Sequence, residues 1–180
     1  MVKVIGHRGV RQHAEIDENS AKAVEVAFAT ADGTEIDGAQ SQDGTVFLSH
    51  ETTQKYVPRL FSRSRYVFCE HLEKASAAAV GKRRIEQLTD AALKKLTLKK
   101  GGKVGQLSDV FRLATEYPGK MINIEVKGEH AVEPIIREIN QAVAAGQITK
   151  EQVILTSFNH PAILRANELA PEIRRGLIFS

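Results

Sequence analysis

Short apolar segments alternate with stretches of helical periodicity along most of the chain. The apolar segments are typical of strands and lie at residues 2–6, 34–39, 46–49, 121–126, 153–158 and 174–180. The first of them, residues 2–6, is expected to be a short buried strand. Between them, apolar residues recur three and four positions apart, as at Val24, Phe28 and Ala31. This is the spacing of an amphipathic helix, so the order strand, helix, strand repeats along the chain.

Boundary signals support this division into elements. Asn19 or Ser20 can cap the first helix, and Pro161 suits the first turn of the last one. Such alternation predicts a mostly parallel sheet covered by helices. Open doubly wound sheets and closed (β/α)₈ barrels share the pattern, and the six predicted strands are fewer than the eight that a closed barrel needs.

Residues 51–106 interrupt the repeat. They are basic and mostly helical in pattern, especially at 84–100, and we interpret them as an insertion after the third strand of one domain spanning 1–180. This segment holds thirteen Lys and Arg against five Asp and Glu, whereas the rest of the chain holds twelve against seventeen. The insertion is therefore suited to attract an anionic substrate, or it forms a solvated basic surface.

Composition narrows the classes of function. Aromatic side chains are not interleaved with the basic ones, so no nucleic-acid partner is expected. No apolar run approaches the ~20 residues of a membrane helix, and the first residues lack a secretory signal pattern. The single cysteine, Cys69, cannot form an internal disulfide, which favours a reducing compartment and predicts a cytoplasmic location.

Residues with charged or titratable side chains, which are candidates for catalysis and binding, follow or lie on the predicted strands. Because the carboxyl ends of parallel strands share one face, such residues are expected to meet in one crevice. They are His7, Arg8, Glu35, Asp37, His50, Glu125, Lys127 and the segment 157–160.

Two acidic residues on the second strand suggest a metal site. Glu35 and Asp37 are two positions apart, so both side chains point to the same face. Burying two carboxylates is costly unless a cation neutralises them, and carboxylate oxygens suit Mg²⁺ or Ca²⁺. Glu125 is a third candidate ligand by the same reasoning. The alternative, in which the pair faces solvent on an edge strand, is equally open.

Two interpretations are open for each of four further residues, the histidines His7 and His50 and the cations Arg8 and Lys127. His7 and His50 suit a general acid and a general base, or they are structural histidines. Arg8 offers a planar fork and Lys127 a point charge to a phosphate group, or they belong to surface ion pairs. Glu18 is compatible with a first-turn carboxylate favoured by the helix dipole.

The other histidines are assigned no chemical role. His13, His71 and His130 fall in loops or in the insertion. His160 follows Asn159 at a helix start, where capping of the helix is the expected function.

Taken together, these motifs resemble the glycerophosphodiester phosphodiesterase family. The resemblance is carried, in order, by IGHRG, ENS at a helix start, GTEIDGAQSQDGTVFLSHE, INIEVK and LTSFNH. It covers residues 4–50 and 107–180 and leaves the insertion out. It implies a (β/α)₈ TIM-type barrel with an insertion after the third strand.

The resemblance also implies roles for the candidate residues. By it, His7 and His50 resemble the catalytic acid–base pair. The implied metal ligands are Glu35, Asp37 and Glu125, binding Mg²⁺ or Ca²⁺. The implied phosphate contacts are Arg8 and Lys127, with Glu18 supporting the site around the first histidine.

The implied reaction is metal-dependent hydrolysis of a small glycerophosphodiester to glycerol 3-phosphate and an alcohol. Two alternatives remain at this point. One is a related lipid phosphodiesterase of the phospholipase D or sphingomyelinase D kind, with the basic insertion against an anionic lipid surface. The other is a non-catalytic relative that binds a metal or phosphate.

The chain departs from the family pattern in two informative places. Gly38 and Ala39 stand where bulkier apolar residues are usual, so loose packing of the second strand is expected. The chain has about six of the eight strands, so the predicted barrel is incomplete at its C-terminal side. Three explanations compete: a longer protein, two chains that close each other's gap as a homodimer, or a shortened relative that has lost efficient catalysis.

Overall fold

A computed structural model of the chain describes residues 2–50, 68–81 and 83–179. The strands are β1 (Ile5–Gly6), β2 (Gly33–Gln40), β3 (Val46–Leu48), β4 (Met121–Val126), β5 (Val153–Ser157) and β6 (Arg174–Leu177). The α-helices are α1 (Ala21–Thr30), α2 (Lys74–Val80), α3 (Asp90–Leu93), α4 (Leu107–Ala114), α5 (Val132–Ala144) and α6 (His160–Leu169). Short 3₁₀ turns lie at Phe68–His71, Ile85–Gln87, Glu129–Ala131 and Lys150–Gln152.

The described strands form one six-stranded sheet. Five of them run parallel in the order β1-β2-β4-β5-β6. The prediction of a mostly parallel sheet with about six strands is therefore confirmed. Its two ends are not joined to each other within the described residues, so the sheet is open.

The third strand has a different direction from the other five. β3 pairs antiparallel with the carboxyl end of β2, with Leu48 opposite Gly38 and Val46 opposite Gln40. The turn between them is closed by a hydrogen bond from Ser41 N to Thr45 O (2.9 Å). β3 is thus the second arm of a hairpin, because a connection this short cannot make the crossover that a parallel pair requires.

The first strand is shorter and less buried than the sequence predicted. β1 has two residues that are only half-buried, and Val2 and Val4 are 88% and 62% exposed. The expectation of a buried strand over residues 2–6 was wrong. β1 pairs only with β2 among the described strands, so its apolar residues gain cover on one side of the backbone and not on the other.

The main core lies between the sheet and the helices that cover it. Phe28 of α1, Phe111 of α4 and Ile135 of α5 pack against Ile36 of β2 and Ile124 of β4, and all five are buried. The space beside Gly38 is filled, because an added Cβ would lie 3.1 Å from Cδ1 of Ile135. The expected loose packing of the second strand is therefore wrong at this position.

A second, smaller core lies under the described part of residues 68–104. Phe68, Leu72 and Leu93 pack there with Ala39 and Phe47 of the β2–β3 hairpin. This cluster fixes the segment against the main body. Residues 51–67 of the predicted insertion lie outside the described residues.

The helical prediction at 84–100 holds only in part. Instead of one long helix, this stretch has a 3₁₀ turn and the four-residue α3, followed by a tight turn at residues 98–102. Isolated bridges join Leu72 to Leu98 and Thr97 to Lys103. Among the described residues, none of the helices combines the length and apolar character needed to span a bilayer.

Helix caps agree with the boundary signals. Oγ of Ser20 accepts a hydrogen bond from Ala23 N (3.2 Å) and caps α1. Asn159 caps α6 through Ala162 N (3.4 Å), so the cap at this helix start is Asn159 and not His160, which is the first residue of α6. α1 therefore begins at the end of the loop that follows β1, and α6 begins shortly after β5.

Candidate active site

The register between β2 and β4 brings two acidic residues side by side. Asp37 is the direct strand partner of Glu125. Because side chains alternate along a strand, Glu35 and Lys127 lie on the same face as these two, each two positions away. Parallel strands about 4.8 Å apart place these groups within contact distance of one another.

The three predicted metal ligands converge at this face. Glu35, Asp37 and Glu125 each offer a carboxylate oxygen, and the three oxygens lie within 4.8 Å of one another. The side chain of Asp37 has no solvent exposure, and those of Glu35 and Glu125 are 12% and 11% exposed. The alternative of a solvated acidic pair on an edge strand therefore fails, because β2 lies inside the sheet, Asp37 is buried and Glu35 is largely shielded from solvent.

Lys127 is inserted among these carboxylates. Its Nζ lies 2.7 Å from Oδ1 of Asp37 and 2.5 Å from Oε1 of Glu125. Its side chain is 8% exposed. A lysine predicted as a phosphate contact thus also neutralises part of the acidic cluster.

One lysine does not compensate all of the negative charge. Burial, together with the charge of Asp37, raises the pKa of Glu35 to about 7. Burial likewise raises the pKa of Glu125 against the opposing effect of Lys127. Burial alone would raise the pKa of Asp37 as well, but the charge and hydrogen bond of Lys127 and a hydrogen bond from Asn19 hold it below its ordinary value.

The turn after β1 places His7 and Arg8 at the edge of the cluster. Arg8 N donates to Oε2 of Glu35 (2.8 Å), and Gly9 N donates to the Glu35 carbonyl (3.1 Å). Nε2 of His7 lies 3.8 Å from Oε2 of Glu35. Gly9 has φ +75°, and a Cβ there would lie 2.5 Å from the backbone of Ala23, so only glycine fits this turn.

The guanidinium group of Arg8 joins two acidic residues. Nη1 lies 2.7 Å from Oε1 of Glu18, and Nε lies 3.4 Å from Oδ2 of Asp37. The Arg8 side chain is 11% exposed. Glu18 therefore orients the arginine that follows His7 in the turn after β1.

His50 reaches the cluster because β3 is antiparallel. The hairpin turns the chain back along β2, and Ser49 N donates to the carbonyl of Asp37 (2.9 Å). Burial lowers the pKa of His50 to about 4, with further lowering by Lys127 and Arg8 and an opposing effect of Asp37. The sequence predicted this neighbourhood for His50, but as the end of a parallel strand.

The imidazole of His7 shares this electrostatic environment. Burial lowers its pKa, as do the charges of Arg8 and Arg11, while Asp37 and Glu18 act in the opposite direction. With the pKa of His50 also lowered, the neutral form of both imidazoles predominates at pH 7. A neutral imidazole can accept a proton at one nitrogen while it donates from the other.

Two residues at the site were not predicted for it. Asn19 was considered only as a helix cap, yet its Nδ2 donates to Oδ2 of Asp37 (2.8 Å) and its Oδ1 accepts from Asp37 N (3.1 Å). His71, which received no role, places Nδ1 3.7 Å from Oε1 of Glu18. The ENS motif pointed to Asn19; no local pattern pointed to His71, because its position depends on how residues 68–104 fold back.

The donor set fits a hard divalent cation. Three carboxylate oxygens from two strands form a small buried group of the kind that Mg²⁺ and Ca²⁺ prefer. The raised pKa values of Glu35 and Glu125 arise because burial and neighbouring negative charge disfavour the ionised form. Additional positive charge near these oxygens would favour ionisation of both residues.

Comparisons with known proteins find relatives over nearly the whole chain. The chain is 29% identical to a glycerophosphodiester phosphodiesterase of Caldanaerobacter subterraneus subsp. tengcongensis over 98% of its length. It is 26% identical to one of Bacillus altitudinis over 99% of its length. In both cases the chain spans 66% of the relative's own length.

Solved structures share the architecture. A glycerophosphodiester phosphodiesterase from Thermotoga maritima matches all of the chain with a TM-score of 0.62 at 25% identity, and the chain covers 63% of it. An Oleispira antarctica phosphodiesterase, solved in complex with the product sn-glycerol-3-phosphate, matches 99% of the chain with a TM-score of 0.71 at 22% identity. The chain covers 66% of that protein. The prediction of an incomplete TIM-type barrel is confirmed, since the open sheet matches part of these larger folds.

The model of the glycerophosphoryl diester phosphodiesterase family matches residues 7–180. This range begins at His7 and includes each of the predicted site residues. The chain therefore belongs to the glycerophosphoryl diester phosphodiesterase family.

Proposed function

We propose that this chain carries the catalytic site of a phosphodiesterase that hydrolyses glycerophosphodiesters to glycerol 3-phosphate and an alcohol. The observation that carries the proposal is the convergence of Glu35, Asp37 and Glu125, with carboxylate oxygens within 4.8 Å, beside Arg8 and Lys127. The activity of the named relatives, and the sn-glycerol-3-phosphate bound by the Oleispira antarctica protein, support the same substrate class.

In this proposal, Glu35, Asp37 and Glu125 hold one divalent cation, Mg²⁺ or Ca²⁺. When bound, such a cation acts as a Lewis acid toward the phosphoryl oxygens. Ion pairing with Glu18 keeps the fork of Arg8 at the edge of the cluster, where it can contact a phosphate through two N–H groups. Lys127 adds a point charge on the same side.

The two histidines supply proton transfer. Both have lowered pKa values and are mostly neutral at pH 7, so one imidazole can remove a proton from the attacking hydroxyl. The other, in the fraction of molecules in which its ring carries a second proton, donates that proton to the oxygen of the departing alcohol, and the proton taken up by the base replaces it. The attacking group is water, or it is a hydroxyl of the glycerol moiety, in which case water then opens the resulting cyclic phosphodiester to glycerol 3-phosphate. Arg8 and Lys127 stabilise the negative charge that grows on the phosphoryl oxygens.

We retain two further expectations as proposals. The single cysteine of the chain supports a reducing compartment such as the cytoplasm. A homodimer that covers the open ends of the sheet is the second, and sedimentation across a range of protein concentrations tests it.

The experiment that tests the function is release of glycerol 3-phosphate. Glycerophosphocholine, glycerophosphoethanolamine and lysophosphatidylcholine vesicles are offered separately, with Mg²⁺, with Ca²⁺ and with a chelator. We expect release from the two soluble diesters with a cation and none with the chelator. Turnover confined to the vesicles would reassign the chain to lipid substrates, and cation binding without turnover would make it a non-catalytic relative.

A further inference from the structure

Asp17, the neighbour of Glu18, binds the backbone of a distant turn. Its carboxylate accepts hydrogen bonds from Lys100 N (3.0 Å to Oδ1 and 3.1 Å to Oδ2) and from Gly102 N (3.0 Å to Oδ2). The residue is 9% exposed. A buried carboxylate that accepts two backbone N–H groups forms strong, charge-assisted hydrogen bonds.

The turn on the other side of this contact is itself fixed. Leu98 N donates to the Gly102 carbonyl (2.8 Å), and Gly101 N donates to the Leu98 carbonyl (3.0 Å). The bridge from Leu98 to Leu72 ties the turn to the smaller core. Nζ of Lys100 adds a contact with the Ile16 carbonyl (3.2 Å). The 98–102 turn is therefore a firm support for the loop between β1 and α1.

The two residues that follow Asp17 along the chain both contact Arg8. Oε1 of Glu18 lies 2.7 Å from Nη1 of Arg8, and Asn19 N donates to the Arg8 carbonyl (3.0 Å). The carbonyl of Asp17 accepts from Oγ of Ser20 (2.6 Å), the cap of α1. Movement of Asp17 would thus shift Glu18 and Asn19 together.

This loop needs support because its backbone is strained. Arg8 has φ +52° and Asn19 has φ +55°, both in the left-handed region, which arginine rarely adopts and which asparagine tolerates better. Such conformations persist only where surrounding contacts hold them. A second contact from residues 68–104, between Nδ1 of His71 and Oε1 of Glu18 (3.7 Å), reaches the same loop.

We infer that Asp17 is a positioning residue, through which the 98–102 turn fixes Glu18 and hence the phosphate-binding fork of Arg8. The described part of residues 68–104 thereby stabilises the position of the candidate active site, which we call its bracing role. The inference rests on the proposed function in one respect: it takes Arg8 to be a phosphate contact.

The test compares Asp17→Asn with a matched control, Asp43→Asn. Oδ2 of Asp43 also accepts a backbone N–H from this part of the chain, that of Asp90 (2.7 Å), but at the β2–β3 turn, away from Arg8. Gly102→Ala disturbs the Asp17 contact from the opposite side, because its Cβ would lie 3.0 Å from Oδ2 of Asp17.

The first readout is turnover of glycerophosphocholine and binding of sn-glycerol 3-phosphate. We expect Asp17→Asn to raise KM and the Kd about tenfold or more, since small misplacements of a positioning group have effects of up to ~100-fold. Gly102→Ala should move both quantities in the same direction. Asp43→Asn should leave both within about twofold of the original chain. Equal effects of Asp17→Asn and Asp43→Asn would overturn the inference.

The second readout is independent of activity. Hydrogen–deuterium exchange of the peptide covering residues 8–20 should be faster in Asp17→Asn and unchanged in Asp43→Asn. If the original chain neither turns over nor binds sn-glycerol 3-phosphate, the proposed function fails. The exchange comparison still decides the bracing role in that case, because unchanged protection of residues 8–20 in Asp17→Asn would refute it.

Discussion

Nζ of Lys127 lies 2.7 Å from Oδ1 of Asp37, and the two side chains are 8% and 0% exposed. Because both charged groups are shielded from water, their contact with each other and with the neighbouring Glu125 carboxylate takes the place of their hydration. Lys127 is therefore required for the stability of the cation-free cluster, in addition to any contact with a substrate.

Replacing Lys127 with Met should destabilise the cation-free chain by about 3–5 kcal/mol, because it leaves Asp37 and Glu125 buried without their partner. We expect Mg²⁺ or Ca²⁺ to restore more stability to this variant than to the original chain. Urea unfolding with and without the cation measures both effects. The control Lys22→Met removes an exposed pair with Glu25 and should change little. A Lys127→Met variant as stable as this control would contradict the account.

Replacing Glu125 with Gln should abolish most of the thermal stabilisation by a divalent cation. A ligand at a hundred times its Kd stabilises the folded state by about 2.7 kcal/mol, so the loss is measurable as a shift in Tm. Glu138→Gln is the matched control, because Glu138 is a partly buried carboxylate outside the cluster. If both variants keep the full cation-dependent shift, Glu125 is not a ligand.

The raised pKa of Glu35 predicts that the free energy of unfolding of the cation-free chain depends on pH. Burial and Asp37 raise its pKa from 4.5 to about 7, so the folded state binds this proton more tightly than the unfolded state does. The resulting stability is fully present below pH 4.5 and is lost as the pH rises through about 7, and its size is at most roughly 3 kcal/mol.

This dependence is measured by urea unfolding from pH 4.5 to 8 in the presence of a chelator. Glu35→Gln should flatten the decline, whereas the exposed control Glu25→Gln should not. A divalent cation should oppose the decline, because it favours the ionised carboxylate. If the stability of the original chain changes between pH 5 and 7 by the same amount as that of Glu35→Gln, Glu35 does not titrate in this way.

Glu138 offers a stabilising substitution outside the site. One of its oxygens accepts from Val46 N (2.9 Å), and burial raises the pKa of the carboxyl group. Its charge therefore opposes folding increasingly as the pH rises above 4.5. Glu138→Gln keeps an oxygen for Val46 N and removes the charge, so it should raise Tm at pH 8 more than at pH 5. A lower Tm at pH 8 would show that the ionised form is the one the fold favours.

The histidine variants test the chemistry directly. His7→Ala and His50→Ala should each reduce kcat by about 100- to 10,000-fold, the usual contribution of a general acid or base, with little change in Tm. His13→Ala is the control, because its ring is exposed and its Nδ1 accepts a hydrogen bond from the nearby Glu15 N (3.1 Å). Near-normal turnover of either variant would remove that histidine from the mechanism.

Several elements were predictable because their signals are local. The period of two at Glu35 and Asp37 placed both on one face, and Asn159 marked the start of α6. The direction of β3 was also written in the sequence. This signal was not used in the prediction, although only five residues separate Gln40 from Val46, which are too few for a crossover and include Asp43-Gly44, a common hairpin turn.

Other features depend on contacts between distant segments. The exposure of β1 follows from its having one neighbour, β2, among the described strands, and no property of residues 2–6 encodes that neighbour. His71 and Asp17 approach the Arg8 loop only because residues 68–104 fold against the β2–β3 hairpin.

By itself, the sequence determined the residue types, their periodicity and the family motifs, because these depend on neighbours along the chain. It therefore identified the acidic cluster, the two histidines and the parallel sheet. Only the tertiary structure decided the register that pairs Asp37 with Glu125, the insertion of Lys127 between them and the contact of Asp17 with the 98–102 turn. Those relationships are set by packing across the sheet and between cores, where residues far apart in sequence compete for the same buried space.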